Sequence, residues 1–326
     1  MNKALKLFFL TVFSLFCIFF AFKDEDMDLL YRHLLEVDIL NLTFATILLI
    51  ISCVVRAYRW QLLLIPFDYV SLGKVFSATM IGYFGNGILA FRLGELLKSY
   101  SVSKDSKINT MQAFGTVVIE RLLDVLAVVS IFIFLIPWFP FEDKFIKYGA
   151  LGFTSIALIS LMVLYFVSKY ALIGKLENKA IFSSGYGKSV FVGICKFFEG
   201  IDVISNNENR WRIFLSSVLL WSIYYIETIL LVIACGLELG ILEIGILLVL
   251  GSIAFGIPAL PGSAGTYDAS IKYSLVVVFN VGSIQALNYA IISHVVAYFP
   301  LLILGFIFFL ISNVKINDFK QVKIYK

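Results

Sequence analysis

The sequence predicts an all-α, polytopic transmembrane helix bundle with about eight apolar segments and two broken or re-entrant elements. Hydrophobic residues make up 60% of the 326 residues and charged residues only 15%, and the mean hydropathy is +0.95. Soluble domains average about half apolar and about a quarter charged residues. Composition therefore excludes a soluble enzyme, a disordered chain and a basic nucleic-acid binder. We expect one integral membrane domain over residues 1–326, with the bundle at 5–312.

The apolar runs set the order of the predicted spans. Residues 5–22 lack a small-residue cleavage site before Lys23, which favours a retained helix over a signal peptide. An acidic amphipathic stretch follows at 23–38, and the next run ends in a basic and aromatic interface anchor formed by Arg56, Arg59 and Trp60. Apolar runs of regular pattern lie at residues 5–22, 39–58, 110–137, 146–167, 212–235, 243–258, 266–280 and 286–312.

Two segments do not read as continuous helices. The first, residues 74–97, combines an apolar core with Asn86 and several glycines, and the second holds two prolines and two glycines. Non-helical backbone at membrane depth is tolerated only beside protein or a water-filled cavity, and paired interruptions in two halves of a transporter point to a midplane site. The residues of the second element are Pro258, Pro261, Gly262, Ser263, Gly265 and, just downstream, Asp268.

The distribution of lysine and arginine predicts the orientation. Basic residues concentrate at the N-terminus, in residues 56–107, in the loop 168–211 and in the tail 313–326. The positive-inside rule places these segments, and with them both termini, in the cytoplasm. A short amphipathic helix is expected near 190–204 within the loop. The high content of Lys, Ile, Phe and Asn favours a prokaryotic cytoplasmic membrane as the location.

One predicted helix carries a polar stripe. Gln112, Thr116, Glu120 and Asp124 recur every four residues, so they lie along one face, and Arg121 can pair with Asp124. A charged residue at the bilayer centre costs at least ~2.5–3.5 kcal/mol. These charges must therefore face partners or a cavity. Two interpretations remain open: a structural ion pair near the inner interface, or a substrate or ion pathway.

Further ionisable residues lie in or beside apolar segments. Arg92 and Glu95 are three residues apart at an expected helix start, and arginine binds phosphate through a planar two-pronged contact. Arg92 and Lys98 are equally compatible with simple anchoring at the headgroups. Glu227 and His294 are isolated in apolar helices, where each can relay a proton or bond to a neighbouring helix. For His294 the second role is favoured.

Motifs for other chemistries are missing from the sequence. No CxxC pair, HExxH, GxGxxG or GxSxG is present. The run at 187–189 lacks the first glycine of a P-loop, which falls at Phe182. We therefore expect no metal, no cofactor and no ATP hydrolysis by this chain.

Several short motifs together resemble a known family. They are Arg56-Ala57-Tyr58-Arg59-Trp60, Gly85-Asn86 leading to Arg92-x-Gly94-Glu95, Glu120-Arg121-x-x-Asp124, and Pro261-Gly262-Ser263-x-Gly265. In order and spacing they resemble the flippase-like family built on the transmembrane region of lysylphosphatidylglycerol synthase, also called UPF0104. The resemblance covers about residues 5–312 and implies a bundle that moves polar-headgroup lipids between leaflets.

The resemblance also bears on catalysis. In the full-length synthase a soluble aminoacyl-transfer domain follows this region, whereas only a short tail follows Ser312 here. The resemblance therefore implies a protein that does not make lysyl lipid by itself. The family often has proline where this chain has Ala90, glutamate where it has Asp268, and arginine where it has Lys98. These departures leave the fold unaffected and the lipid substrate open.

The resulting hypothesis is a lipid flippase-like transporter of the cell membrane. Its partners would be membrane lipids, namely an anionic or aminoacylated phospholipid or a lipid-linked carrier, with no nucleic acid and the oligomeric state open. Ion coupling would involve Glu227 and Glu120. The expected headgroup residues are Asn86, Arg92, Glu95, Arg56, Arg59, Glu120, Arg121 and Asp124.

Two other functions remain open from the sequence. An intramembrane transferase would use Glu120, Asp124 and Glu227 to modify a lipid carrier. A non-transporting scaffold of an envelope complex would depend instead on the loop 168–212.

Overall fold

A computed structural model describes residues 3–89, 93–104, 106–135, 185–204, 207–256, 261–312 and 314, with five isolated residues between 136 and 184. These residues form eleven α-helices and two 3-10 turns, at Asp202–Ile204 and Pro261–Ser263, and no strand. The all-α prediction is confirmed. The helices are α1 Lys3–Phe22, α2 Met27–Leu35, α3 Ile39–Leu64, α4 Leu72–Ile88, α5 Gly94–Lys104, α6 Thr110–Leu135, α7 Gly185–Ile201, α8 Arg210–Ala234, α9 Ile241–Gly256, α10 Thr266–Phe279 and α11 Ser283–Ile311.

Three helices of the described residues are long and apolar enough to cross a bilayer. They are α3, α8 and α11, and shorter apolar helices cover Thr11–Phe22 and Ile241–Gly256. Helix α6 has 26 residues, but its polar stripe interrupts the apolar surface. The expected span at 146–167 lies largely outside the described residues, as do Arg92, Pro258 and most of the tail. The chain is therefore a helical membrane protein with several apolar helices.

Helix α3 corrects one expectation. It continues to Leu64, so the basic and aromatic residues at 56–60 lie inside the helix rather than at its end. Arg59 and Trp60 are both 0% exposed. The interface-anchor prediction is wrong because these side chains face α5, α6 and α8, where carboxylates and hydroxyls satisfy them. The amphipathic helix of the loop is also longer than expected and begins earlier, at Gly185.

Glycines allow neighbouring helices to touch through their backbones. A Cβ atom on Gly94 would lie 2.1 Å from the Gly82 carbonyl oxygen, so α5 packs directly on α4. The same close approach joins α6 to α7, where a Cβ on Gly115 would lie 2.1 Å from the Phe197 oxygen. Small residues are the usual means of close packing between membrane helices. These contacts hold α4, α5 and α6 in the positions that build the site.

An ion pair between Glu25, which follows α1, and Lys272 of α10 ties the N-terminal segment to the C-terminal helices. Lys272 Nζ donates to Glu25 Oε1 and to the Ala21 oxygen, both at 2.6 Å, and the Ser283 hydroxyl donates to the same carboxylate. Burial raises the pKa of Glu25, but the bonds from Lys272 and Ser283 outweigh it and leave the pKa below its usual value. The pair therefore stabilises the fold above the usual carboxylate pKa. That stabilisation is lost as the pH falls through the lowered value.

The α4–α5 contact gives a direct test of the fold. Gly94→Ala should destabilise the protein by about 1–3 kcal/mol, because overpacking forces the helices apart, and should lower Tm in detergent. Gly73→Ala is the matched control, since a Cβ there meets nothing within 4 Å. Equal melting of the two variants would contradict the close approach of α5 to α4.

Candidate functional site

Two arginines of α3 meet the acidic stripe of α6 inside the bundle. Arg56 and Arg59 lie three residues apart on one face of α3. Arg56 Nη1 donates to Glu120 Oε1 at 2.9 Å and to Asp124 Oδ2 at 2.8 Å. Arg59 Nη2 donates to Asp124 Oδ1 at 2.6 Å. The carboxylates of the stripe are thus neutralised from a neighbouring helix, not only from their own.

Helix α5 brings a third cation to the same carboxylates. Lys98 Nζ donates to Glu120 Oε2 at 2.6 Å and lies 4.1 Å from the centroid of the Trp60 ring, a cation–π contact. The Trp60 indole donates in turn to the Thr116 hydroxyl at 2.9 Å. Lys98 and Glu120 are at most 2% exposed. They form the buried inner part of the site.

The rim of the site is looser and more open. Arg121 contacts Glu95, Glu120 and Asp124 at 3.3–3.4 Å, whereas the inner pairs lie at 2.6–2.9 Å. Its side chain is 37% exposed. Asn86, at the end of α4, donates to Glu95 Oε1 at 3.4 Å. The guanidinium of Arg121 is therefore the cation of this group that is most accessible to a ligand.

Helix α8 closes the site with hydroxyl groups. Arg56 Nη2 donates to the Tyr224 hydroxyl at 2.9 Å and Arg59 Nη1 to the Ser217 hydroxyl at 3.1 Å. Ser217 and Tyr224 are seven residues apart, so they share one face of α8. The Nε atoms of Arg56, Arg59 and Arg121 are buried and have no hydrogen-bond partner among the described residues. All three arginines thus retain an unused donor.

The charges of this group, which we call the charge cluster, do not cancel. Among the described residues, four cationic side chains face three carboxylates, which leaves one formal positive charge without a counter-charge. Bringing charges out of water costs several kcal/mol per ion unless they are paired. An anion at the rim would complete the balance. The cluster comprises Arg56, Arg59, Glu95, Lys98, Glu120, Arg121 and Asp124.

A second polar group surrounds the proline- and glycine-containing loop. Gly262, Ser263 and Gly265 all have left-handed backbone conformations, with φ of 74°, 60° and 81°. Asp268 accepts from the Gly265 N–H at 3.0 Å, and its other oxygen lies 2.9 Å from His294 Nδ1. His294 Nε2 lies 2.7 Å from the Gly262 oxygen. The loop is therefore held by one carboxylate and one imidazole, which we call the loop lock.

Tyr298 connects the two irregular elements. Its hydroxyl donates to the Gly87 oxygen at 3.0 Å, near the end of α4. A Cβ on Gly262 would lie 2.6 Å from its ring, so the loop packs flat against this tyrosine. The two elements thus converge on α11.

The structure separates the predicted site residues into two groups. The first belongs to the charge cluster and its rim, and the second to the loop; Arg92 and Pro258 are outside the described residues. Glu227 belongs to neither group: it is 8% exposed on α8, and no described residue bonds to its carboxylate. The residues brought together around the cluster are Asn86, Glu95, Arg56, Arg59, Glu120, Arg121 and Asp124.

Four contributors were not predicted as site residues. Lys98 belongs to the cluster, and Trp60, Ser217 and Tyr224 contact its cations. Helical spacing offered a signal for two of them, since Trp60 lies one turn after Arg56 and Lys98 three residues after Glu95. Ser217 and Tyr224 are ordinary in an apolar helix, and only the packing of α8 against α3 reveals their role.

Fold and site together define a helical membrane protein with a charged site buried among apolar helices. Residues 5–305 match the family described as the lysylphosphatidylglycerol synthase TM region, and the chain belongs to that family. It is 22% identical over 307 residues to a UPF0104 membrane protein of Methanocaldococcus jannaschii, a match covering 90% of this chain and 91% of that protein. No solved structure matches the chain.

The inner ion pair is expected to be essential for stability. Glu120→Gln removes the carboxylate that Lys98 and Arg56 share, and Lys98→Met removes one of its cations. Breaking a buried pair from one side costs about 3–5 kcal/mol, so each single variant should melt at a much lower temperature in detergent. The double variant should lose less than the sum of the two, because no lysine is left unpaired.

An exposed ion pair supplies the control for this comparison of single and double variants. Lys196 and Glu199 pair on α7 with side chains 40% and 45% exposed. Lys196→Met should change stability by no more than about 1 kcal/mol. Strict additivity of the Glu120 and Lys98 effects would show that the two residues are not coupled.

Proposed function

We propose that this protein moves a phosphate-bearing lipid between the leaflets of the cytoplasmic membrane, and that the charge cluster binds the headgroup. The observation that carries the proposal is the positive charge that the described residues leave uncompensated in a cluster built into apolar helices. A lipid phosphate supplies the missing negative charge while its acyl chains remain in the bilayer. The family description, which names a synthase of an aminoacylated phospholipid, supports a lipid with a polar headgroup.

Arg121 is proposed as the first contact of the phosphate. Guanidinium groups bind phosphate through two parallel hydrogen bonds. The contacts of Arg121 with Glu95, Glu120 and Asp124 are the longest in the cluster, so a phosphate can replace them at low cost. The inner pairs, at 2.6–2.9 Å, remain in place and keep the cluster folded without a lipid.

Neighbouring residues would extend the site. Arg92 lies two positions before Gly94, the first residue of α5, and we propose it as a second phosphate ligand. Asn86 would hold Glu95 away from Arg121 when a lipid is bound. Glu227 and Glu120 remain the proposed ion-coupling carboxylates, and the partnerless position of Glu227 among the described residues favours its role.

The lengths of α4 and α5 bear on how the chain is arranged in the membrane. At 1.5 Å per residue, α4 is about 26 Å long and α5 about 17 Å, both shorter than the ~30 Å apolar core of a bilayer. Their backbone contact at Gly94 supports a re-entrant hairpin. We propose one membrane domain of about eight apolar segments, with the loop 168–211 and both termini in the cytoplasm.

Leaflet exchange in liposomes tests this function. Vesicles containing the purified protein would carry acyl-labelled phosphatidylglycerol or, separately, a labelled neutral glycolipid without phosphate, and an impermeant reductant would bleach the outer leaflet. The wild type should expose the inner-leaflet phosphatidylglycerol and protect the glycolipid. Arg121→Gln should slow exchange at least about tenfold, since a charged hydrogen bond contributes roughly 1.5–3 kcal/mol, and should leave Tm near the wild-type value.

Lys196→Gln is the matched control, because Lys196 is an exposed cation of α7 that pairs with Glu199 and not with the carboxylates of the cluster. It should exchange lipid at the wild-type rate. Equal rates for Arg121→Gln and Lys196→Gln would contradict the role of the cluster. Protection of every lipid, with a new lipid product formed on expression, would instead identify a transferase.

A further inference from the structure

The loop lock has an unusual hydrogen-bond arrangement. His294 Nδ1 lies 2.9 Å from Asp268 Oδ1, and Nε2 lies 2.7 Å from the Gly262 oxygen. A carbonyl oxygen only accepts, so Nε2 must carry a hydrogen. The contact between Nδ1 and Asp268 also needs a hydrogen, on either the ring or the carboxyl group. Whichever group holds it, the pair contains one proton more than a neutral imidazole beside an ionised carboxylate.

We propose that His294 and Asp268 form a proton-binding site. Binding and release of this proton would move the residues of the charge cluster that bind the lipid headgroup. The ligand is the proton itself, held as one coupled unit by the two side chains. The coupling to lipid movement rests on the proposed function, whereas the proton site rests on the geometry of the loop lock alone. In this conformation the proton is held by His294 together with Asp268, and this step does not require Glu227 or Glu120.

Release of the proton must break one contact of the lock. Without it, a lone pair of the ring faces either Asp268 or the Gly262 oxygen, and two acceptors repel each other. Once this contact is broken, backbone strain in the loop favours its movement. Ser263 is held at φ 60°, a conformation that residues other than glycine rarely adopt. Among the described residues, the hydrogen bonds that would still hold the loop include the Thr266 bond to the Ser263 oxygen at 3.1 Å and the bond from the Gly265 N–H to Asp268.

The surroundings of the ring are compatible with one titrating pair. Tyr267 and Tyr298 lie 5.1 and 6.1 Å from the imidazole, and Phe255 of α9 at 6.4 Å cannot ionise. Glu227 of α8 interacts electrostatically with Tyr267. The segment 257–260 consists of Ile, Pro, Ala and Leu, which do not ionise. Lys272, one turn after Asp268, is bound to Glu25 and the Ala21 oxygen instead.

A continuous set of contacts joins the proton site to the cluster. Gly262 packs on Tyr298, and Tyr298 donates to the Gly87 oxygen at 3.0 Å. The preceding residue of α4, Asn86, donates to Glu95, which pairs with Arg121 at the rim. Pro300 supports movement here, because a proline inside α11 removes one backbone hydrogen bond beside Tyr298. Movement of the loop therefore reaches the residues that meet the phosphate.

Histidine NMR tests the proton site without any transport measurement. The chain has two histidines, so a His33→Gln background leaves His294 as the single imidazole. In lipid nanodiscs, its nitrogen signals should show a hydrogen on Nε2 and one transition between pH 5 and 9. Asp268→Asn, which can still accept from the Gly265 N–H, should move that transition to lower pH. A ring unchanged from pH 5 to 9, or unaffected by Asp268→Asn, would overturn the proposal.

A pH gradient tests the coupling. If one proton moves with each lipid, a difference of one pH unit supports about a tenfold asymmetry of labelled phosphatidylglycerol between leaflets. The wild type and His33→Gln should build that asymmetry, and His294→Gln and Asp268→Asn should only equalise the leaflets. If the wild type exchanges labelled lipid but builds no asymmetry in the pH gradient, coupling is refuted and the flippase function stands. A normal NMR transition without any lipid exchange would refute the flippase function while leaving the proton site intact.

Discussion

The Glu120 carboxylate is the interaction on which the rest of the site depends. It is fully buried and is shared by Lys98 of α5, Arg56 of α3 and Arg121 of its own helix. A buried charge is tolerated only when partners surround it, so three helices must pack closely enough to supply them. Gly82, Gly94 and the other small residues make that approach possible. The apolar helices, the glycines and the polar stripe thus act together to surround the buried Glu120 carboxylate with cations.

The inner contacts of the charge cluster differ from those at its rim, and this difference is compatible with binding and release of a ligand. The inner contacts are short and dry, whereas those of Arg121 are longer and partly open. A rigid base with a weakly satisfied rim can accept a phosphate without first breaking its own core. The loop lock holds a strained turn against Tyr298, and Tyr298 bonds to Gly87 near the end of α4. This helix end therefore lies between the charge cluster, which we propose as the anion site, and the loop lock, which we propose as the proton site.

Much of this arrangement could be predicted from the sequence, and the rest could not for specific reasons. The polar stripe of α6 follows from the spacing of Glu120 and Asp124, and the irregular segments follow from glycine and proline. Spacing within one helix, however, does not show which helix lies opposite, so the sequence alone places the basic end of the second apolar run at the membrane interface. Arg59 is instead buried against Asp124. In the same way, His294 resembles an ordinary hydrogen-bonding residue until the loop carbonyl is seen at its second nitrogen.

The most direct test of the central claim is an experimental map of the protein in nanodiscs of phosphatidylglycerol. We expect a lipid phosphate within hydrogen-bond distance of the Arg121 guanidinium, with Glu95 displaced and the Lys98–Glu120 pair intact. Phosphates confined to the two membrane surfaces, with Arg121 still bound to Glu95 in every class of particles, would contradict it.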